Sequence, residues 1–291
     1  MVTEGHLARH HGGRRGQRDP AFIDIAQDHA LKILDEAGVF ELGAALKGGT
    51  AIRKFRAGNA GRFSTDFDFT TSDPDVAKFI LTTLDGAELG GFRFGVQVIR
   101  EGRQASLLIE NANLGNPPGP AKIDISTRAP WLAPERVAPV ELAIHGAYGF
   151  AIPSVPTMRV EEVLAEKLAR YRRHALARDL YDLNWFSDKV FNEALVRRLL
   201  VLKVWQDVVE DRLGQSPFSP AEVTARRRAE DFNGDEIVGL TQEVDIPGWL
   251  ERVRRRFAFV DQLDNDERQI ARCSAGDRYA AGQMIRALGL P

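Results

Sequence analysis

From Ser64 to Phe69 the chain reads Ser-Thr-Asp-Phe-Asp-Phe, and this short stretch limits the possible fold more than any other. Polar and aromatic residues alternate with the period of a strand, whose successive side chains point to opposite faces. Phe67 and Phe69 therefore commit one face to a core, and Asp66 and Asp68 share the other with Cα atoms roughly 7 Å apart. Two carboxylates so placed repel each other unless a cation sits between them. A hard divalent cation with oxygen ligands meets that need, Mg²⁺ above all, because it can bridge the acids and the phosphates of a substrate.

The segment before this strand supplies a place for such phosphates. Leu42 to Leu46 is short and mostly apolar, Gly48 and Gly49 break it, and Thr50 to Phe55 reads as the first turns of a helix carrying Arg53 and Lys54. A strand, a glycine turn and a helix start leave backbone N–H groups free, and glycine has no Cβ to keep a phosphate away. A Gly-Gly pair by itself is most often a plain turn. Its combination with a nearby Asp-x-Asp is the rarer observation.

A third acid is placed by the same periodicity. In Ala121 to Thr127, Lys122, Asp124 and Ser126 alternate with Ile123 and Ile125, so Asp124 lies on a strand whose other face is buried. It would align with Asp66 and Asp68 if the two strands are neighbours. A carboxylate there could orient an attacking hydroxyl and accept its proton. The plainer alternative is a surface residue paired with Lys122 or Arg128.

Further along, Val160, Val163, Leu164, Leu168, Tyr171 and Ala175 form a helical apolar stripe, with Lys167 at its edge. Between Lys167 and Arg178 the charged residues are all basic, which suits the neutralisation of a triphosphate. Asp179 and Asp182 follow, three positions apart and thus on one side of a helical turn.

Gly48-Gly49-Thr50, Arg53-Lys54 and Ser64-x-Asp66-x-Asp68 together resemble the opening motif of nucleotidyltransferases of the AbiEii type, the toxin halves of bacterial toxin–antitoxin pairs within the polymerase-β-like superfamily. Lys167 followed by Arg178-Asp179-x-x-Asp182-Leu183 resembles a downstream motif of the same family. The resemblance implies an α+β fold, in which a minimal nucleotidyltransferase mixed sheet with flanking helices is followed by a C-terminal helical bundle. It also implies metal ligation by Asp66, Asp68 and Asp124, and nucleotide contacts from Gly48, Gly49, Thr50, Arg53, Lys54, Ser64, Lys167 and Arg178. Lys167 would meet the triphosphate, and Asp179 or Asp182 would complete the catalytic set. The expected activity is Mg²⁺-dependent transfer of a nucleoside monophosphate from a nucleoside triphosphate to an RNA acceptor, the tRNA 3′ end, with a cognate antitoxin as partner. Modification of a protein or small molecule, or an inactive nucleotide-binding module, is the alternative.

Composition sets outer limits. The net charge of −2 supplies no overall attraction to nucleic acid, so an RNA must be held by local patches such as Arg226–Arg228 or Arg254–Arg256. Cys273 is the single cysteine, which excludes an internal disulfide or a thiol-rich metal site and suits a cytoplasmic protein. No apolar run is long enough to span a membrane. Residues 1–20, rich in His, Arg and Gly, read as a flexible basic arm. Residues 21–155 form the expected nucleotidyltransferase core, with a buried strand within Val140 to Phe150. Residues 156–291 form the expected helical domain completing the active site, with Asn233-Gly234 and Pro247-Gly248 punctuating its helices.

Overall fold

The structure is a computed structural model, and it describes residues 1–13, 16–117, 119–214, 217–232 and 243–288. It divides into two compact units, one of Met1–Pro130 with Pro134–Met158, the other of Trp131–Ala133 with the described residues from Arg159 onward.

The first unit is built on a mixed sheet. Its strands are β1 (Ala45–Lys47), β2 (Asp66–Thr70), β3 (Glu88–Leu89), β4 (Phe92–Arg100), β5 (Gln104–Asn111), β6 (Ala121–Ser126), β7 (Glu135–Val137) and β8 (Val155–Thr157). They lie in the order β3-β4-β5-β6-β2-β1-β8-β7. The pairs β2–β6 and β1–β8 are parallel, and the remaining neighbours are antiparallel. Phe67 and Phe69 are fully buried, as are Leu46 and Ile123. Each buried aromatic contributes about 1.5–3 kcal/mol, so the alternation in β2 fixes which face is core.

Among its described residues are the α-helices α1 (Glu4–His11), α2 (Arg18–Glu36), α3 (Gly48–Ile52) and α4 (Pro74–Leu84). The Asp73 side chain caps α4 by accepting from the Asp75 N–H, and Pro74 supplies its first turn. Helix α2 buries charged groups as well as apolar ones. Lys54 Nζ lies 3.1 Å from Asp24 Oδ1 and 2.7 Å from Asp28 Oδ1, Arg53 lies 3.4 Å from Asp24 Oδ2, and the Tyr148 hydroxyl donates to Asp28 at 2.7 Å. Burial by itself would raise the Asp24 carboxyl, but Lys54, Arg53 and His10 hold it well below the usual carboxylate range. Burial, with Asp28 alongside, pushes the Tyr148 hydroxyl well up.

Three expectations need correction. The first 20 residues are not a flexible arm where they are described. Val2 and Leu7 are buried, Thr3 caps α1, Arg18 pairs with Glu4 at 2.9 Å, and His10 Nε2 meets Asp24 at 2.9 Å. A few well-placed contacts anchor a segment whose composition is polar; Arg14 and Arg15 lie outside the described residues. Second, Val140 to Phe150 contains no strand but a 3₁₀ turn, Ala143–Ala147. Tyr148 is drawn to Asp28 there, and the His145 ring accepts from the Leu142 N–H at 3.2 Å. Third, the stretches Pro130 to Pro139 and Ile152 to Pro156, whose prolines read as connectors, are not strand-free: β7 lies in the first and β8 begins in the second.

The second unit is helical. It contains α5 (Val160–Arg173), α6 (Ala177–Phe186), α7 (Glu193–Trp205), α8 (Ala221–Thr224), α9 (Ile246–Arg256), α10 (Asn265–Ala271) and α11 (Arg278–Ala287). α5 packs along α7. The fully buried Glu162 of α5 accepts the N–H groups of Trp131 and Leu132 and pairs with Lys203 of α7 at 2.7 Å. Pro247 and Gly248 do not separate helices; they form the first turn of α9, capped by Asp245. Asn233-Gly234 lies outside the described residues.

His29 generates a pH prediction. It is fully buried against the rings of Phe92, Tyr148 and Phe150, and burial lowers its pKa. The unfolded chain therefore binds a proton more readily, so the stability contributed by neutral His29 is complete above about pH 6.5 and declines as the pH falls below it. Asp24, whose pKa is also depressed, adds a further loss below about pH 4. Denaturant midpoints measured across this range should fall with acidification, and less steeply below neutrality in His29→Gln. An unchanged slope in that variant would remove His29 as the source.

Candidate active site

Strand register assembles the polar face of the sheet. Asp68 is directly paired with Asp124 on one side and with Lys47 on the other, Asp66 is paired with Lys122, and Gln104 with Asp124. Directly paired residues share a face, so the sequence-selected acids Asp66, Asp68 and Asp124 all project from the side opposite Phe67, Phe69 and Ile123. Asp124 also has the plainer partner anticipated for it. It forms an ion pair with Lys122 and accepts from Gln104 Nε2 at 3.1 Å.

The glycine turn closes on this face. Gly48 has φ +72°, and a Cβ built on it would lie 2.0 Å from Asp68 Oδ2. The carboxylate thus rests on the glycine itself, which admits no side chain. A Cβ on Gly49 would meet the Arg62 guanidinium at 2.6 Å and Ser64 Oγ at 2.8 Å. Just behind, the Thr50 hydroxyl and Gln27 Nε2 both donate to the Asp66 carbonyl, fixing where β2 begins. Thr50 and Ser64 are buried, and the Thr50 hydroxyl is already used in holding the strand.

Arg53 and Lys54 do not face the turn. The helix that starts at Gly48 continues as a π-helical turn over Arg53–Ala57, and both cations point into the Asp24–Asp28 network, with Arg53 1% and Lys54 5% exposed. They hold the turn against α2 and are unavailable to a triphosphate. Besides Lys122, the cations that accompany the glycines and acids include Arg62 and Lys47, which the sequence reading missed. Lys47 was identifiable from its place immediately before Gly48. Arg62 stands two positions before Ser64 with no pattern to mark it.

In the second unit Lys167, Asp179 and Asp182 come together. Lys167 Nζ lies 2.6 Å from Asp182 Oδ2 and 3.6 Å from Asp179 Oδ1, and Arg170 Nε lies 3.2 Å from Asp179. All but Arg170 are buried or nearly so. Arg178 is half-buried on α6 beside them in sequence. The lysine offsets two carboxylates that would otherwise be adjacent and buried, which is a strong constraint on how α5 meets α6.

Among the described residues no three His, Cys, Asp or Glu side chains are gathered closely enough to hold a metal ion alone. The donors present fit a hard cation that takes few protein ligands. Asp66 and Asp68 offer oxygen from one face, and Mg²⁺ commonly binds through one or two carboxylates with waters and substrate phosphates completing its shell.

Known proteins resemble this chain along most of its length. The family model described as "Nucleotidyl transferase AbiEii toxin, Type IV TA system" matches residues 32–272. The chain belongs to the AbiEii family of nucleotidyltransferase toxins. Among solved structures, MenT4, a nucleotidyltransferase toxin from Mycobacterium tuberculosis H37Rv, superimposes with a TM-score of 0.94 at 45% identity, covering 99% of this chain and 100% of that one. A search of curated protein sequences gives no match. As an AbiEii protein the chain is a nucleotidyltransferase enzyme, the toxin of a type IV toxin–antitoxin system; its substrate is a nucleoside triphosphate, and a cognate antitoxin accompanies it. Enzymes of this kind generally use a divalent metal. No described helix is long and apolar enough to cross a membrane.

Replacement of Gly48 tests the turn. Gly48→Ala places a methyl group where the Asp68 carboxylate lies and imposes a left-handed backbone on alanine, at a cost of about 1–2 kcal/mol. We expect the variant to remain folded by circular dichroism and to lose nucleotidyl transfer by about a hundredfold or more. Near-normal turnover would show that the Asp68 carboxylate is not held where activity requires it.

Proposed function

We propose that this AbiEii enzyme transfers a nucleoside monophosphate from a nucleoside triphosphate to the 3′ end of an RNA, with tRNA as the acceptor and Mg²⁺ as the metal. The observation that carries the reading is the in-register placement of Asp66, Asp68 and Asp124 on one sheet face, against a glycine turn that only a residue without Cβ can form.

The chemistry is a phosphoryl substitution. An acceptor hydroxyl oxygen bonds to the α-phosphorus, the bond from that phosphorus to the bridging oxygen breaks, and pyrophosphate leaves with the electron pair. Asp66 and Asp68 would hold the Mg²⁺, which would supply Lewis-acid stabilisation of phosphate charge. The turn N–H groups at Gly48 and Gly49 and the guanidinium of Arg62 orient the phosphates, and Lys47 balances the charge at Asp68. Asp124 accepts the hydroxyl proton once substrate charge draws Lys122 away from it. Lys167, Arg178 and one of Asp179 and Asp182 enter by resemblance to the family's downstream motif, with Lys167 assigned to the triphosphate.

Blocking a tRNA 3′ end would stop aminoacylation, which accounts for toxicity by a single added nucleotide. Each α-³²P-labelled nucleoside triphosphate incubated with total tRNA and the wild-type protein should give metal-dependent label at RNA 3′ ends. Asp66→Ala and Asp68→Ala should reduce it by about a thousandfold or more. Label on protein or on a small molecule in place of RNA would redirect the acceptor assignment, and absence of any transfer to RNA would overturn it.

A further inference from the structure

The first unit holds a cavity of about 530 Å³ apart from the acidic sheet face, between α1, the 3₁₀ turn at Ala143–Ala147 and the loop before β2. Its size lies within the range of about 300–1,000 Å³ usual for small-molecule sites. Its lining combines hydrogen-bonding side chains, His6, Arg9, His10 and His11, with apolar ones, chiefly Phe63, Leu142 and Ile144, and the rings of His10 and Phe63 lie 5.3 Å apart. Among the described residues no aspartate or glutamate lines it. The acid on α1, Glu4, is already taken by Arg18 through two hydrogen bonds of 2.9 and 3.0 Å.

Two of these basic groups keep hydrogen-bonding atoms unused by the described residues. Arg9 is exposed and makes no side-chain hydrogen bond or ion pair with any described residue. His11 Nδ1 is buried without a hydrogen-bond partner, which is unfavourable for a polar atom unless something occupies the space beside it. The histidines do not make a metal site, because no metal-holding group of three is present among the described residues. Moreover, His6 Nδ1 is engaged with Thr3 at 2.8 Å and His10 Nε2 with Asp24 at 2.9 Å.

We propose that this cavity is a second ligand site, taking a small anion that carries an apolar ring, of the nucleoside monophosphate class. Arg9 presents a planar fork that matches two phosphate oxygens, and His11 offers a further polar contact. The apolar side chains of Phe63, Leu142 and Ile144 accept the ring. The site rests on this geometry and does not depend on the RNA assignment above. An occupant would also touch the loop that runs from Phe63 into the Asp-x-Asp strand, and His10, whose partner Asp24 is bonded to Arg53 and Lys54. Occupancy therefore bears on the same network that seats the glycine turn.

The test is a titration of the full-length protein with AMP in the absence of divalent metal, followed by NMR of the histidine ring signals. The ring signals of His6, His10 and His11 should shift together and saturably, while that of His174 in the second unit stays fixed. Arg9→Ala, at an exposed position, should weaken AMP by about tenfold, the loss of one charge-assisted contact, and Ala147→Leu should weaken it by filling the cavity. Adenosine and inorganic phosphate, each lacking half of the recognised chemistry, should bind more weakly than AMP. Asp68→Asn should leave the titration unchanged, which separates this site from the acidic face. Absence of histidine shifts, affinity unaffected by Arg9→Ala and Ala147→Leu, or phosphate binding as tightly as AMP would each overturn the proposal.

Discussion

The parallel, in-register pairing of β2 with β6 is the constraint on which the rest of the first unit depends. It places Asp68 directly beside Asp124 and Phe69 beside Ile125, so one backbone relation sorts acids to one face and core residues to the other. A slip of one residue would bury the acids and expose the aromatics. The fully buried Phe67 and Phe69 make that slip too costly to populate, and the Thr50 and Gln27 side chains hold the strand's first carbonyl in place. Positioning of the carboxylates is thus a by-product of core burial.

Beneath the sheet a second constraint operates with charges in place of apolar groups. Asp24 and Asp28 on α2 face Lys54, Arg53, Tyr148 and His10, all held away from solvent. Buried ions of this kind stabilise little in net terms but leave a large penalty if any partner is lost, so they define one arrangement among alternatives. Here that arrangement is the angle at which the helix after Gly48 leaves the sheet. The buried Lys167, Asp179 and Asp182 in the second unit impose the same kind of constraint on α5 and α6.

Much of the fold was legible because its signals are local. The alternation in β2 and β6, the Asp73-Pro74 start of α4 and the apolar stripe of α5 each follow from residues within a few positions of one another. The errors have a common cause in partners distant along the chain. Arg53 and Lys54 looked like phosphate ligands because a helix start after glycine invites that assignment, yet their direction is set by Asp24 and Asp28 on α2 and by a π-helical turn. Residues 1–13 looked mobile because two buried apolar side chains, Val2 and Leu7, are too few to register in composition. β7 and β8 have three residues each, too short for any period to show. Arg62 became visible only when the space at Gly49 was known, whereas Lys47 stands immediately before Gly48 and only its pairing with Asp68 needed the register.

We propose that Asp66 and Asp68 form the protein's share of a divalent-cation site completed by the triphosphate. Titration with Mn²⁺ in the presence of a non-hydrolysable nucleoside triphosphate analogue, read by electron paramagnetic resonance of the free ion, tests it directly. Mn²⁺ should bind in a nucleotide-dependent way, and about a hundredfold more weakly in Asp68→Asn, the scale expected for loss of an anionic ligand. Mn²⁺ and nucleotide bound as tightly by Asp68→Asn as by the wild type would contradict it.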